Sequence, residues 1–193
     1  MKTVWIATSN KHKIEEFANM LAGKAVVKSL LDLPEPVEIE ETGTTFEENA
    51  LCKARSLYNI LHEPVISDDS GLEVDAMGGM PGVYSARWMG HDTSYDIKNQ
   101  AILDAVKDKE RTARYVCVIG YIDENGQEHT YRGTVEGEIA PRPQGENGFG
   151  YDPIFWYPPF GMTLAQADPQ AKNAISHRGK ALEQFMAEQG DRL

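Results

Sequence analysis

The chain has 193 residues, 41% hydrophobic and 25% charged, a composition typical of a globular protein that needs neither metal nor disulfides to fold. Its net charge of −11 repels long polyanions, so no nucleic-acid partner is expected. Charged residues interrupt every apolar run well short of the roughly 20 residues of a membrane span, and the N-terminus lacks the apolar stretch of a signal peptide. We therefore expect a cytoplasmic protein with no membrane partner, in which Cys52 and Cys117 are free thiols.

The N-terminal half predicts two strand–loop–helix units. Thr3–Thr8 is a short apolar run with β-branched residues, which indicates a buried strand. The helix that follows it has Ile14, Phe17, Ala18 and Leu21 at helical spacing. After two prolines, Val37–Glu41 predicts a short acidic strand, and Thr45-Phe46-Glu47-Glu48 predicts a capping box that begins a second helix. Pro64–Ser67 is predicted to be a short strand, directly followed by Asp68-Asp69-Ser70-Gly71.

The C-terminal half predicts a loop, a helix, a hairpin and a terminal helix. Leu72–Arg87 is rich in Gly and Pro and predicts an ordered loop, and 94–107 predicts a helix. The inward positions of that helix are expected to be Ile97, Ala101, Leu103 or Ala105, and Val106. Strands at Tyr115–Ile122 and Glu128–Ile139 flank Asn125-Gly126, a strong hairpin signal, and Ser176–Glu188 predicts the last helix. Alternating elements followed by a hairpin indicate a mixed α/β (α+β) fold.

Two segments could bind phosphates and a metal. Thr8–Lys13 (TSNKHK) joins a strand to a helix, where backbone N–H groups and lysines attract anions. The alternative is an ordinary polar turn with Ser9 or Asn10 as N-cap, and the segment taken alone does not exclude it. The second segment pairs Glu38, Glu40 and Glu41 with Asp68 and Asp69. Mg²⁺ needs only one or two such carboxylates besides waters and phosphates, although the glutamates could instead form a solvated edge.

Two later segments could contact a base. Phe149-Gly150-Tyr151-Asp152 places an aromatic ring next to glycine, which offers a stacking face or simply packs in the core. Lys172 and Ser176-His177-Arg178 could donate hydrogen bonds to a carbonyl or a phosphate, or could be a solvated basic helix start.

Read together, four segments resemble the inosine triphosphate pyrophosphatase family in order and spacing. They are TSNKHK, SDDSGLEVDAMGGMPGVYSAR at 67–87, FGYDPIF at 149–155 and SHRGKA at 176–181. One departure is Ser9, where many members have Gly. The resemblance implies one domain over residues 1–193 with two lobes that are not independent, and an elongated fold with a central mixed sheet flanked by helices. It also implies an active site in the cleft between the lobes, a homodimer and Mg²⁺.

The resemblance also implies the reaction and the residue roles. Purine nucleoside triphosphates with non-standard bases (ITP, dITP, XTP) are hydrolysed to the monophosphate and pyrophosphate, which keeps them out of DNA and RNA. Asp69 would be the proton acceptor, and Glu40, Asp69 and Asp68 would hold the metal. The implied substrate-binding residues are Thr8, Ser9, Asn10, Lys11, His12, Lys13, Lys53, Ser70, Phe149, Gly150, Tyr151, Asp152, Lys172, His177 and Arg178.

Two other functions remain open from the sequence. The first is a related pyrophosphatase that acts on modified pyrimidine or standard nucleotides, because the residues do not reveal the base. The second is a nucleotide-binding sensor without turnover. A water-activating carboxylate such as Asp69 argues against the sensor, because a protein that only binds has little need of one.

Overall fold

The computed structural model describes all 193 residues, which form one seven-stranded sheet and five α-helices. The strands are β1 (Lys2–Ile6), β2 (Ala25–Ser29), β3 (Val65–Val74), β4 (Thr112–Ile122), β5 (Glu128–Ile139), β6 (Phe155–Tyr157) and β7 (Met162–Thr163). The helices are α1 (Lys11–Met20), α2 (Phe46–Leu61), α3 (Tyr95–Ala105), α4 (Pro169–Ala174) and α5 (His177–Gln189). The strand order is β2-β1-β3-β4-β5-β6-β7. Since β1 pairs in parallel with β2 and β3, and β6 pairs antiparallel with β5 and β7, the predicted mixed α/β class is confirmed.

Local signals in the sequence place the starts of α1 and α2. Asn10 caps α1 with its side chain, and Thr45 caps α2 by accepting a hydrogen bond of 3.1 Å from the Glu48 N–H. The other half of the predicted capping box differs, because Glu48 Oε2 accepts from the N–H of Thr44 (2.7 Å) and not from that of Thr45. The helix still begins where the sequence predicts, since the Thr45 side chain satisfies a backbone donor that the helix leaves unpaired.

Three predictions about elements are wrong. Val37–Glu41 is not a strand; its Glu40 N–H bonds the Ser56 side chain (3.4 Å) instead of a neighbouring strand. β3 does not end at Ser67 but continues to Val74, so Asp68 and Asp69 lie within a strand and Leu72 is core rather than loop. The side chain of Ile97 is 55% exposed, because α3 turns Lys98, Asn99 and Ile102 inward instead.

Four short elements have no counterpart among the sequence predictions: β2, β6, β7 and α4. β2 alternates irregularly between buried and exposed positions and owes its conformation to parallel pairing with β1. β6 and β7 span only three and two residues and pair with each other. Elements this short carry too little periodicity to be recognised before their partners are known.

The chain divides into two compact units, each with its own apolar core. Unit 1 comprises 1–69, 117–132 and 181–193, and unit 2 comprises 70–116 and 133–180. Unit 1 holds two clusters, one around Ile6, Phe17 and Phe185 and the other around Trp5, Leu57 and Ile122. Unit 2 holds a single cluster that includes Leu72, Ile102 and Phe155. None of the helices has the length and hydropathy that spanning a membrane requires.

Candidate active site

The turn between β1 and α1 presents polar groups at a helix start. Asn10 Oδ1 accepts hydrogen bonds from the N–H groups of His12 (3.0 Å) and Lys13 (3.4 Å), and Thr8 Oγ1 accepts one from the Asn10 N–H (3.2 Å). The exposed side chains of this turn are Ser9, Asn10, Lys11 and His12. The polar cap is therefore present, and the positive end of the helix dipole beside two lysines remains suited to phosphate oxygens.

Lys13 and Lys53 each form an ion pair with one of the two adjacent aspartates of β3. Lys13 Nζ lies 2.9 Å from Asp68 Oδ2, and Lys53 Nζ lies 3.4 Å from Asp69 Oδ1. Because successive side chains of a strand point to opposite faces, Asp68 meets a lysine of α1 while Asp69 meets a lysine of α2. The repulsion expected between neighbouring carboxylates is thus relieved by two separate ammonium groups.

Asp69 is a buried carboxylate, and the protein satisfies its two oxygens unequally. Its side chain pairs with Lys53 through Oδ1, whereas Oδ2 is buried and forms no hydrogen bond of normal geometry. Burial raises the pKa of Asp69 above that of an ordinary carboxyl, although the Lys53 ammonium opposes the shift. A carboxylate with a raised pKa is a stronger proton acceptor, so the position suits a general base.

Lys53 holds its charge in a largely buried setting. Burial lowers the pKa of Lys53, but the Asp69, Glu41 and Asp68 carboxylates outweigh that effect and leave the pKa raised. Glu41 forms an ion pair with the same ammonium group. Lys53 therefore remains protonated at neutral pH and supplies positive charge next to the free oxygen of Asp69.

A close contact between α2 and the sheet fixes the position of Lys53. The Ser67 hydroxyl of β3 donates to the Ala50 carbonyl, one turn before Lys53. A Cβ on Gly120 of β4 would lie 2.8 Å from the Ala50 carbonyl carbon, so only glycine allows the helix to approach this far. The residue types at these strand positions thus set how near the lysine comes to Asp69.

The predicted metal ligands do not form a cluster of protein side chains by themselves. No group of three or more His, Cys, Asp or Glu residues is arranged to hold a metal ion. Glu40 is exposed, and it is its neighbour Glu41 that joins Lys53. Mg²⁺ commonly takes one or two carboxylates together with waters and substrate phosphates, and the unpaired Asp69 Oδ2 fits such a ligand. The residues present therefore fit a Mg²⁺ ion whose coordination the substrate completes.

The segment 149–152 of unit 2 combines one exposed ring with buried supports. The side chain of Phe149 is 81% exposed, while Tyr151 is buried and its hydroxyl donates to the Ser85 carbonyl (2.6 Å). The Gly150 carbonyl accepts from Asn99 Nδ2 (3.2 Å). Tyr151 therefore packs in the core, whereas the exposed ring of Phe149 leaves base stacking as a prediction.

Asp152 ties this segment to Lys172. Its carboxylate is buried and accepts hydrogen bonds from Lys172 Nζ and from the Phe149 N–H (3.1 Å). Lys172 Nζ also lies 4.8 Å from the centre of the Phe149 ring, a cation–π distance. Because its oxygens are engaged by protein groups, Asp152 is placed to orient its neighbours.

The remaining predicted residues are half-buried. His177 and Arg178 begin α5, and Ser70 lies within β3. The imidazole of His177 stacks on the ring of Tyr115, with centroids 5.3 Å apart and an interplanar angle of 16°. Tyr115 was not among the predicted site residues, because in sequence it is one of many apolar positions in a strand and nothing marks its hydroxyl.

Comparisons with known proteins agree with these motifs. The profile of the Ham1 family matches residues 4–188. A dITP/XTP pyrophosphatase of Geobacillus kaustophilus is 48% identical over 94% of this chain and 91% of its own, and one of Listeria monocytogenes is 47% identical over 96% and 93%. Relatives of this identity along nearly the whole chain confirm the family resemblance that the four segments indicate.

Solved structures extend the agreement to the fold. The Ham1 protein of Staphylococcus aureus superposes with a TM-score of 0.93 at 39% identity and covers 100% of both chains. A nucleoside-triphosphatase (dITP/XTP pyrophosphatase) of Mycobacterium abscessus gives a TM-score of 0.83 at 38% identity over 95% of this chain and 98% of that one. The profile match, the sequence identities and these superpositions agree, and the chain belongs to the Ham1 family.

Proposed function

We propose that this protein hydrolyses purine nucleoside triphosphates with non-standard bases, namely ITP, dITP and XTP, to the monophosphate and pyrophosphate. In the cytoplasm this reaction would remove them from the pool that polymerases use. The names of its bacterial relatives, dITP/XTP pyrophosphatase, support the substrate class. The observation that carries the chemistry is the buried Asp69, whose Oδ2 forms no hydrogen bond of normal geometry and whose Oδ1 pairs with the Lys53 ammonium.

The reaction needs positioning and charge neutralisation more than covalent catalysis. The start of α1, with Lys11 and Lys13, would hold the phosphates of the substrate. Asp69 would accept a proton from a water whose oxygen bonds the α-phosphorus, while the bond to the β-phosphate oxygen breaks and pyrophosphate leaves. Lys53 beside Asp69 would balance the negative charge that accumulates on the phosphates.

Mg²⁺ is the metal that these residues would hold, with Asp69 and Glu40 as ligands and Asp68 in support. When bound, the ion would supply positive charge that offsets the negative charge of the phosphates and of the leaving pyrophosphate. Lys53 shares this task, since its ammonium group stays charged beside Asp69. The protein also holds the carboxylates of Asp68 and Asp69 in fixed positions, because both residues lie on β3.

Residues of unit 2 would select the base. Phe149 offers a ring for stacking, and Lys172, His177 and Arg178 are hydrogen-bond donors. Hypoxanthine and xanthine carry an acceptor oxygen at C6, and these donors would form hydrogen bonds with it. Adenine carries an amino group at the same position, so donor would face donor and no hydrogen bond would form. Guanine shares the C6 oxygen, so its rejection would depend on its 2-amino group.

The products test the reaction directly. We expect purified protein with ITP and Mg²⁺ to yield IMP and pyrophosphate in equal amounts, as measured by chromatography. IDP with orthophosphate would contradict the proposed bond cleavage. Binding of ITP without any product would instead favour a sensor without turnover.

A comparison of bases tests the specificity. We expect kcat/KM for ITP, dITP and XTP to exceed that for ATP by up to about 10⁴–10⁵-fold, because a base with the wrong hydrogen-bonding pattern would leave the donors of the closed site unpaired. GTP is also expected to be a poor substrate. Arg178→Ala should slow ITP hydrolysis and narrow its advantage over ATP. Equal values for ITP, XTP, GTP and ATP, or a preference for modified pyrimidine triphosphates, would refute the purine selection.

The domain organisation and the oligomeric state are proposed from the family resemblance. We infer that residues 1–193 work as one domain whose two units are not independent, because both contribute residues to the proposed substrate contacts. We also infer a homodimer. Sedimentation equilibrium should give twice the 21.5 kDa mass of the chain, and a monomer at all concentrations would contradict it.

A further inference from the structure

Tyr115 of β4 contacts both groups of residues that would surround the base. Its hydroxyl donates a hydrogen bond of 3.0 Å to Asp152 Oδ1. The same ring stacks on the imidazole of His177 and lies 4.5 Å, centre to centre, from the ring of Phe155. Only 9% of the surface of Tyr115 is exposed, so the residue is placed to support its neighbours and not to contact a ligand directly.

The carboxylate of Asp152 connects Tyr115 to Lys172 and to the backbone of Phe149. One oxygen accepts from Tyr115, and the other accepts from Lys172 Nζ and from the Phe149 N–H. Burial and the Asp152 carboxylate raise the pKa of Tyr115 well above its ordinary value. The hydroxyl therefore stays protonated at neutral pH and donates a hydrogen bond to Asp152. A Cβ on Gly148 would collide with Asp152 Oδ2, so little space is left for the carboxylate to move.

We infer that Tyr115 is a positioning residue for base recognition, because its side chain fixes the positions of both Lys172 and His177. The hydroxyl acts on Lys172 through Asp152, and the ring acts on His177 by stacking. The inference rests on the proposed function, in which Lys172 and His177 donate to the C6 oxygen of the purine. Two donors serve one acceptor only when their separation is fixed, which a rigid buried ring provides.

The test is Tyr115→Phe, which keeps the ring, its stacking and its packing but removes the bond to Asp152. Loss of one hydrogen bond to a buried carboxylate should lower kcat/KM for ITP about tenfold, mostly through KM, since the base lies away from the reacting phosphates. ATP, whose 6-amino group does not use these donors, should change less than about twofold. The ratio of kcat/KM for ITP to that for ATP should therefore fall about tenfold.

Tyr131→Phe is the matched control. Tyr131 is another buried tyrosine, in β5, whose hydroxyl accepts a hydrogen bond of 2.8 Å from Gln189 Nε2 in unit 1, away from the residues assigned to substrate. We expect Tyr131→Phe to affect thermal stability about as much as Tyr115→Phe does while leaving the ITP to ATP ratio unchanged. If Tyr115 had a purely structural role, Tyr115→Phe would instead lower kcat/KM for ITP and for ATP by the same factor. That result would overturn the inference.

Calorimetric binding of the product nucleotides separates this inference from the proposed function. In wild type, IMP should bind more tightly than AMP, and Tyr115→Phe should reduce that preference about tenfold. If wild type releases pyrophosphate from ITP but both the kinetic ratio and the IMP preference survive in Tyr115→Phe, the function stands and the inference fails. If wild type does not hydrolyse ITP, the function fails, and an IMP preference that is absent or unchanged by the substitution overturns the inference as well.

Discussion

At the scale of single residues, the two adjacent aspartates differ in how well the protein satisfies them. Asp68 is buried with both oxygens within 3.0 Å of Lys13 Nζ. Asp69 has the longer contact with Lys53, at 3.4 Å, and its buried Oδ2 forms no hydrogen bond of normal geometry. An unsatisfied buried carboxylate destabilises the folded state, so its presence points to a role in binding or catalysis.

The first prediction concerns Asp69→Asn, which should lose activity without losing stability. Turnover of ITP should fall about 10²–10⁴-fold, because the amide cannot accept the proton, and weaker metal binding should add to the loss. Since burial raises the pKa of Asp69, ionising it costs folding free energy as pH rises through that pKa. The variant avoids this cost, and Lys53 keeps Glu41 as a partner.

The melting temperature of Asp69→Asn, measured without metal, should therefore equal or exceed that of wild type, with a larger difference at pH 7 than near pH 4. Activity close to wild type at saturating Mg²⁺ would remove Asp69 from its proposed role. A large fall in melting temperature would mean that the carboxylate stabilises the fold.

At the scale of secondary structure elements, α2 depends on small side chains in the two strands beneath it. Gly120 leaves room for the Ala50 backbone, and Ser67 donates to the Ala50 carbonyl. Both contacts lie one helical turn from Lys53. The position of a lysine next to the proposed catalytic carboxylate is therefore set by strand residues that would not touch substrate.

The second prediction is that Gly120→Ala moves α2 and damages the site. The added methyl would meet backbone atoms 2.8–2.9 Å away, which cannot yield as a side chain can, so we expect a loss of about 1–3 kcal/mol in the free energy of unfolding. Turnover should fall as Lys53 shifts. Ser67→Ala is the comparison variant, because it loses one hydrogen bond but creates no clash, and its loss should be about 1 kcal/mol. Wild-type stability of Gly120→Ala, measured by urea unfolding, would contradict the tight contact.

The third prediction concerns the ion pair that joins β4 to the turn after β3. Arg114 donates two hydrogen bonds to the Asp75 carboxylate, at 2.9 and 3.0 Å. These bonds and one from Thr112 lower the pKa of Asp75. Asp75→Asn should thus reduce the free energy of unfolding by about 1 kcal/mol at pH 7, since a bidentate pair exceeds an ordinary surface pair.

The sign of the pH dependence follows from the lowered pKa. The stabilisation by Asp75 is complete above the ordinary carboxyl pKa of 3.8 and is lost as pH falls through the lower folded value. The difference between wild type and Asp75→Asn should shrink at low pH. Glu136→Gln is the control; Glu136 pairs with the same arginine, but its side chain is 63% exposed, so a smaller effect is expected. A difference that persists unchanged at about pH 3 would mean that charge is not its cause.

At the scale of the whole molecule, the residues that form the cores differ from those proposed to bind the triphosphate. Apolar clusters form the core of each unit, and no cluster of metal-ligating side chains is built into either. The net charge of −11 opposes a triphosphate, so the positive charge that holds it has to be local. Lys11, Lys13 and Lys53, together with an added cation, would provide it.

The fourth prediction is that chelation abolishes activity but not folding. Excess EDTA should reduce ITP hydrolysis to background, because no cation would then offset the repulsion between the phosphates and the carboxylates. The melting temperature should change by less than about 2 °C, since the cores do not depend on an ion. Added Mg²⁺ should restore the rate. Full activity in EDTA would exclude the metal mechanism, and unfolding in EDTA would indicate a structural ion.

The sequence by itself determined whatever depends on short-range chemistry. Asn10 and Thr45 satisfy the backbone donors of the next few residues, so the starts of α1 and α2 were predictable. Asn125-Gly126 placed the turn after β4, where Gly126 has a φ of +77°. The four motifs in their order indicated the family and, through it, the proposed site residues.

The tertiary structure alone decided which distant side chains meet. The sequence did not reveal that β3 runs on through Asp68 and Asp69 or that Glu41, rather than Glu40, reaches Lys53. It also gave no sign that Tyr115 joins Asp152 to His177. These contacts link residues 12 to 62 positions apart, and they form only after strand pairing and helix packing bring the segments together. A pattern read along the chain does not contain that pairing, because strand register depends on partners elsewhere in the sequence.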